Sequence, residues 1–219
     1  MEDAIREIIE TGQKIYHQGF VVATEGNLSV RIDQNTILAT SSGVCKGELT
    51  PEDLVLLNLD GEILKNGKAP SSEIKMHLEV YRNRPEVNAV LHAHPPYAVS
   101  LTLVGISLDK PFLPESAILL GSVPTAPYGR PSTEQVAQSI QPFIKKTDTI
   151  LLDRHGSLTV GKTMKEAYYK LEILEHTAHI IWLARQIKHF LPLDTFEIRE
   201  LLKLRESTYG LDFPILPFG

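Results

Sequence analysis

His92-Ala93-His94 closes the apolar run Val87-Asn88-Ala89-Val90-Leu91, and Pro95-Pro96 follows at once. An apolar run with β-branched members, set between Pro85 and Pro95, reads as a buried strand. On a strand, residues i and i+2 share a face and stand about 6.5–7 Å apart along the backbone. Two imidazoles so placed can converge on one ion, because each ring nitrogen must come within about 2.0–2.1 Å of a zinc. The pair also suits a strand end where histidines make ordinary hydrogen bonds. The choice depends on what else is aimed at this point.

A chain of 219 residues can bury a sizeable single core without disulfides. Apolar residues make up 42% and charged residues 22%, ordinary values for a soluble globular protein. A net charge of −5 gives no sign of the basic face that nucleic acid demands. Cys45, the single cysteine, rules out a disulfide framework and suits a reducing compartment. The start, Met1-Glu2-Asp3-Ala4, is acidic and unlike a secretory signal. No apolar run approaches the roughly 20 residues of a membrane span. The expectation is a soluble, cytoplasmic protein with neither nucleic acid nor membrane as partner.

Ile5, Ile8, Ile9, Ile15 and Tyr16 mark an amphipathic first helix that ends near Gly19. Strand-like runs follow at 27–32, 36–40 and 54–59, with turns at Gln34-Asn35 and Asp60-Gly61, the pattern of an antiparallel meander. A helix is expected over 72–82, stopped by Pro85. After the histidine strand come a helical stretch near 98–104 and strands at 123–126, 149–152 and 158–160. Pro131-Ser132-Thr133-Glu134 opens a helix to about 145. Thr163-Met164-Lys165-Glu166 has the form of a capping box and starts a long helix through Trp182 to about 188. A short helix over 195–205 precedes a Pro- and Gly-containing tail. There is no Gly-rich dinucleotide fingerprint. The expected fold is a single α/β domain over 1–219, with a mixed or largely antiparallel central sheet flanked by helices.

A catalytic zinc commonly takes three protein ligands and keeps one position open. The best third candidate is His155, which ends the run Ile150-Leu151-Leu152 and precedes Gly156. A buried structural histidine explains it as simply. His176 and His179, i and i+3 on the long helix, and His17 and His189, near helix ends, are explained without ligation. Glu73 falls in the first turn announced by Ala69-Pro70-Ser71-Ser72, where negative charge is favoured in any case. It is also the carboxylate able to complete a metal's coordination and then act as acid or base. His77 shares its helix face and can offer a nitrogen or simply pack. Thr24-Glu25-Gly26-Asn27, Thr40-Ser41-Ser42-Gly43 and Ser71-Ser72 are small polar segments that suit a phosphate cradle, each unremarkable alone. No Walker pattern is present, so nucleoside triphosphates are not indicated.

Thr24-x-Gly26-Asn27-x-Ser29-Val30-Arg31, Ser42-Gly43, Pro70-Ser71-Ser72-Glu73, His92-x-His94, Ala126-Pro127-Tyr128 and His155-Gly156 occur in this order. The chain thereby resembles the zinc-dependent class II aldolases of the L-fuculose-1-phosphate aldolase type, in the wider group that includes ribulose-5-phosphate 4-epimerase and adducin head domains. The resemblance runs from about residue 5 to Tyr209-Gly210-Leu211. It implies one Zn2+ per chain, held by His92, His94 and His155 with Glu73 completing the resting coordination and then serving as acid/base. It implies that Thr24, Asn27, Ser42, Gly43, Ser71 and Ser72 hold a sugar phosphate, and that Tyr209 assists proton transfer at the aldehyde oxygen. A homotetramer with four-fold symmetry and sites at subunit interfaces is implied too.

The implied reaction cleaves a 1-phosphoketose, such as L-fuculose 1-phosphate, reversibly to dihydroxyacetone phosphate and a short aldehyde. In one place the chain departs from that pattern. Phe112-Leu113-Pro114-Glu115-Ser116 sets Glu115 near the position of a second family tyrosine. A glutamate there is similar to the methylthioribulose-1-phosphate dehydratases, which use one in acid/base chemistry, although Glu115 also suits a helix start after Pro114. The rival activities on the same scaffold are a dehydratase, an epimerase or a decarboxylase. From another class, a non-catalytic adducin-like interaction domain predicts lost zinc ligands, whereas all three histidines are present.

Overall fold

The computed structural model describes residues 1–65, 67–188 and 191–211. Its strands are β1 (Asn27–Arg31), β2 (Thr36–Thr40), β3 (Leu54–Asn58), β4 (Ile63–Lys65), β5 (Ala89–Ala93), β6 (Thr125–Ala126), β7 (Thr149–Leu152) and β8 (Gly156–Gly161). They form one eight-stranded sheet in the order β4-β3-β2-β1-β5-β8-β7-β6. Neighbours run antiparallel except β6 and β7, which are parallel. The helices are α1 (Glu2–His17), α2 (Ile74–Asn83), α3 (Pro96–Leu103), α4 (Pro114–Leu119), α5 (Glu134–Ile140), α6 (Met164–Ile187) and α7 (Thr195–Ser207). The expected α/β class and largely antiparallel sheet are what the chain adopts.

Period-two alternation along β5 sorts its side chains between two helical layers. Val90 packs with Ile74 and Met76 of α2 and with Val136 and Ile140 of α5. Ala89, Leu91 and Ala93 pack with Ile8 and Ile15 of α1 and with Met164, Ala167 and Leu171 of α6. His92 therefore shares the face of Val90 and looks toward α2. Thr163 caps α6 by accepting the Glu166 N–H, and the Glu166 carboxylate accepts the Lys162 N–H.

The differences from expectation are local. β4 has three exposed residues at the sheet edge, too few for an alternating pattern. α4 begins at Pro114, which suits the first turn of a helix because its missing N–H has no partner there to lose. The strand expected at 123–126 keeps only two residues, and α5 ends at Ile140 in a series of turns. α2 starts at Ile74 and not at 72, with Glu73 at its cap position. His189 lies outside the described residues. None of the described helices is long and apolar enough to cross a membrane.

Asp148, just before β7, sits between two buried cations. Its Oδ1 accepts from Arg84 Nη1 and its Oδ2 from Lys170 Nζ, each at 2.6 Å. The end of α2, the start of β7 and the middle of α6 are thereby tied together. Asp148→Ala is expected to cost about 3–5 kcal/mol, because it removes the carboxylate shared by two buried cations. Urea unfolding of the variant tests this, with a lowered midpoint as the expected result.

Candidate metal centre

The β-ladders bring the centre together. β1 pairs Asn27 with His92, and β8 pairs Ser157 with Ala93. His94 lies one residue beyond β5, and its N–H donates to Phe20 O at 2.9 Å. His155 ends the turn from β7 to β8, where Arg154 adopts a positive φ of 57° and the His155 N–H donates to Leu152 O. Close approach there depends on Gly156. A Cβ at that residue would lie 2.5 Å from Ala93 O, 2.8 Å from His94 Cδ2 and 2.9 Å from His92 Cε1. Gly26 serves the loop before β1: its φ is +72°, and a Cβ would lie 2.9 Å from His92 O.

Glu73, His92, His94 and His155 present one ligand atom each, all within 4.8 Å of one another. His92 Nε2 is 3.0 Å from His94 Nε2 and 3.1 Å from Glu73 Oε2. His155 Nε2 is 3.1 Å from Glu73 Oε1. Ligands of a tetrahedral zinc at about 2.0–2.1 Å stand roughly 3.3 Å apart, so these spacings fit. His92 Nδ1 lies 2.9 Å from Ser157 O, which can only accept, so Nδ1 carries the proton and Nε2 offers its lone pair. Glu73 Oε1 is buried and has no hydrogen-bond partner despite its closeness to His155. A cation among three imidazoles and a carboxylate satisfies this donor set.

Electrostatics agree with that arrangement. Burial, reinforced by His92 and His155, lowers His94 to about 3, so it is a neutral imidazole at pH 7. Burial pushes Glu73 upward, but the adjacent His155 and His92 outweigh it and hold the carboxyl well below its usual range. Asn27 Nδ2 also donates to Glu73 Oε2 at 3.4 Å.

Glu25 was not assigned a role from sequence. Its Oε2 lies 3.2 Å from His94 Nδ1, the position of a carboxylate that orients a ligating imidazole. The glycine that follows it, Gly26, was the available signal, since its positive φ turns the loop back on the histidines. Glu25→Gln is expected to weaken zinc affinity by about 10–100-fold, measured by competition with a chromogenic chelator.

His77 is not among the cluster's members. It is fully buried behind the centre, with Nδ1 2.7 Å from Ser29 Oγ, which in turn is 2.9 Å from Tyr81 OH. Its role is packing. Burial, with His92 adding to it, lowers its pKa to about 3. A histidine with a depressed folded pKa takes up its proton first in the unfolded chain, so stability falls as pH drops from about 6.5 toward 3. His77→Gln is expected to flatten that fall in the metal-free protein, as read from urea midpoints across the range.

The three polar segments lie at the same end of the sheet. The Ser42 N–H donates to Ala69 O and the Ser71 N–H to Thr40 O, which joins the second segment to the third. Thr40 Oγ1 accepts the Leu28 N–H beside Asn27. Ser71 Oγ accepts the Glu73 N–H at 3.4 Å, Ser72 Oγ accepts from Ser132 Oγ, and Gly43 has a φ of +73°. Thr24, Ser42, Gly43 and Ser72 are exposed, Ser71 is partly so, and Asn27 is buried.

Glu115 and Tyr209 are not members of the cluster. Glu115 is in the first turn of α4 and lines a cavity of about 890 Å³ with Tyr97, Glu175, His176 and His179. Tyr209 follows α7 and is 54% exposed. His179 stacks on Tyr97 with ring centroids 3.8 Å apart, and His17 Nδ1 lies 2.6 Å from Gln13 O.

Comparison with known proteins agrees with this geometry. Residues 6–182 match the family described as Class II Aldolase and Adducin N-terminal domain. A 3-oxo-tetronate 4-phosphate decarboxylase of Pectobacterium atrosepticum is 34% identical over 198 residues, covering 88% of this chain and 90% of that protein. An L-fuculose phosphate aldolase of Methanococcus maripaludis is 34% identical over 184 residues, covering 84% of this chain and 99% of that one. A solved L-fuculose 1-phosphate aldolase superposes with a TM-score of 0.84 at 27% identity, covering 93% of this chain and 96% of its own. With its sheet order, its three-histidine-and-glutamate cluster and these relatives, the chain belongs to the class II aldolase and adducin N-terminal domain family.

Proposed function

We propose that the protein is a metal-dependent lyase that cleaves a 1-phosphoketose such as L-fuculose 1-phosphate to dihydroxyacetone phosphate and a short aldehyde. The observation that carries this reading is Glu73, whose two carboxylate oxygens each stand 3.1 Å from a histidine nitrogen while Ser71 and Ser72 directly precede it. It joins a metal-ligand set to a polar cradle within one turn of chain. His92, His94 and His155 would hold a divalent ion, Zn2+ by family expectation. When bound, it supplies Lewis-acid stabilisation of the negative charge that develops on the substrate's oxygens.

The chain's own residues supply the remainder. Thr24, Asn27, Ser42, Gly43, Ser71 and Ser72 hold the phosphate end through hydroxyls, an amide and backbone N–H groups. Glu73, ionised at rest, takes up the proton released by the departing carbon's hydroxyl, relayed through that hydroxyl's base and solvent. It delivers that proton to the carbon left electron-rich when the carbon–carbon bond breaks, and the synthetic direction reverses this. A base must also accept the proton of the hydroxyl on the departing carbon, and Tyr209 and Glu115 are the candidates. Both stand apart from the cluster of their own chain, which suits a homotetramer in which neighbouring subunits complete each site.

A second reading, decarboxylation of a phosphorylated 3-oxo acid, is favoured by the Pectobacterium relative. It uses the same centre, because loss of carbon dioxide also leaves charge beside a carbonyl that Glu73 can quench with a proton. A product assay decides between them. Zinc-loaded protein is offered L-fuculose 1-phosphate, related 1-phosphoketoses and 3-oxo-tetronate 4-phosphate. Dihydroxyacetone phosphate from a ketose supports the aldolase. Carbon dioxide from the oxo acid alone replaces it with the decarboxylase, and water loss that Glu115→Gln abolishes selects a dehydratase.

A further inference from the structure

Lys46 has no part in the chemistry above, yet it is 1% exposed. It opens the short 3-10 turn Lys46–Glu48, three residues beyond Gly43. Its Nζ donates to Val44 O at 2.6 Å and to Thr24 O at 3.1 Å. Thr24 opens the first polar segment and Val44 directly follows the second, so one ammonium ties these two loops together. No carboxylate among the described residues forms an ion pair with it. Burial lowers its pKa to about 8, which leaves it mostly cationic at neutral pH, and its charge reaches as far as His94.

The surrounding structure keeps this side chain from escaping to water. α1 packs on the turn so closely that a Cβ at Gly12 would lie 2.9 Å from Lys46 O. A Cβ at Gly47 would lie 2.5 Å from the Tyr16 ring. A buried cation without an anion is costly, and such a charge persists where something negative completes it. Meanwhile the six residues of the cradle are all neutral and would have to hold a dianion in a protein of net charge −5.

We propose that Lys46 supplies the positive charge of the phosphate site, fastening its two loops through Thr24 O and Val44 O and placing an ammonium beneath the cradle to attract a phosphate monoester dianion. This rests on the reading of Thr24, Asn27, Ser42, Gly43, Ser71 and Ser72 as that cradle. Lys46 is a specificity residue here, selecting phosphorylated over unphosphorylated ketoses. A purely mechanical fastening would affect both ligand types alike, whereas a charge favours only the anion.

The test compares zinc-loaded wild type with Lys46→Met, after confirming equal zinc content and circular dichroism. Binding of inorganic phosphate, dihydroxyacetone phosphate and uncharged dihydroxyacetone is measured by calorimetry. The variant is expected to bind phosphate and dihydroxyacetone phosphate about 10–100-fold more weakly and dihydroxyacetone unchanged, the loss of one hydrogen-bonded charge. Phosphate binding within twofold of wild type overturns the proposal, as does equal weakening of the charged and uncharged ligands. Wild type that binds neither phosphate nor dihydroxyacetone phosphate overturns the cradle reading, and Lys46's role with it. If Lys46→Met loses zinc or its fold, Lys46→Arg carries the test. It keeps the charge and must bind phosphate within about threefold of wild type, and a folded, zinc-loaded Lys46→Arg that binds tenfold more weakly sinks the proposal.

Discussion

Glu73→Gln is expected to lower turnover by about 10²–10⁴-fold while the protein keeps its metal. The three imidazoles converge without help from the carboxylate, since His92 is aimed by Ser157 O, His94 by Glu25 and its backbone bond to Phe20, and His155 is set by the turn whose N–H bonds to Leu152 O. The variant loses a group that can carry a proton at the point nearest both histidines and cradle. The amide oxygen of glutamine can still accept from Asn27, so local packing is kept. Two measurements decide the matter: metal content by mass spectrometry, and exchange of the C3 proton of dihydroxyacetone phosphate in heavy water. Exchange above a tenth of the wild-type rate would remove Glu73 from acid–base chemistry. Loss of the metal would make it chiefly a ligand.

Gly156→Ala should be more damaging than its one carbon suggests. Three atoms lie within 2.9 Å of the added methyl, and one of them is a backbone oxygen that cannot rotate away. The strain must be relieved by separating β8 from β5 or by displacing the rings of His92 and His94. Overpacking of this kind costs about 1–3 kcal/mol or more. For a chain of this size that corresponds to about 2–4 °C of melting temperature per kcal/mol. We expect metal occupancy to collapse in parallel, because the displaced rings belong to the candidate ligand set. A variant that holds one metal per chain and melts as wild type would show that the β5–β8 crossing is looser than these distances indicate.

Much of the fold was legible in sequence because its strands carry their signals locally. Thr36–Thr40 and Thr149–Leu152 have the bounds expected of them, set by turn residues on both sides. Thr163 and Glu166 announced the start of α6. Elements whose existence depends on distant packing were not legible. The exposed β4 is a strand because β3 lies beside it, and β6 is two residues long because only β7 supports it. His92, His94, His155 and Glu73 could be named in advance as candidates, since each lies in or just after a strand or precedes a helix of clear pattern. Glu25 and Lys46 could not. One is an exposed acid in a loop and the other a lysine among turn residues, and both gain meaning only when the ends of β1, β2 and β5 meet.

β5 is the central seam of the sheet: on one side lie β1 to β4, on the other β8, β7 and β6. The candidate ligands straddle that seam, from Glu73 at the cap of α2 to His155 before β8, so an ion held there would rivet the two halves of the sheet together. A ligand that binds only the folded chain at a thousand times its dissociation constant adds about 4 kcal/mol to stability. Metal supply would then bear on the protein's stability as well as on its chemistry. Metal-free protein is expected to be cut faster than metal-loaded protein in a limited-proteolysis time course.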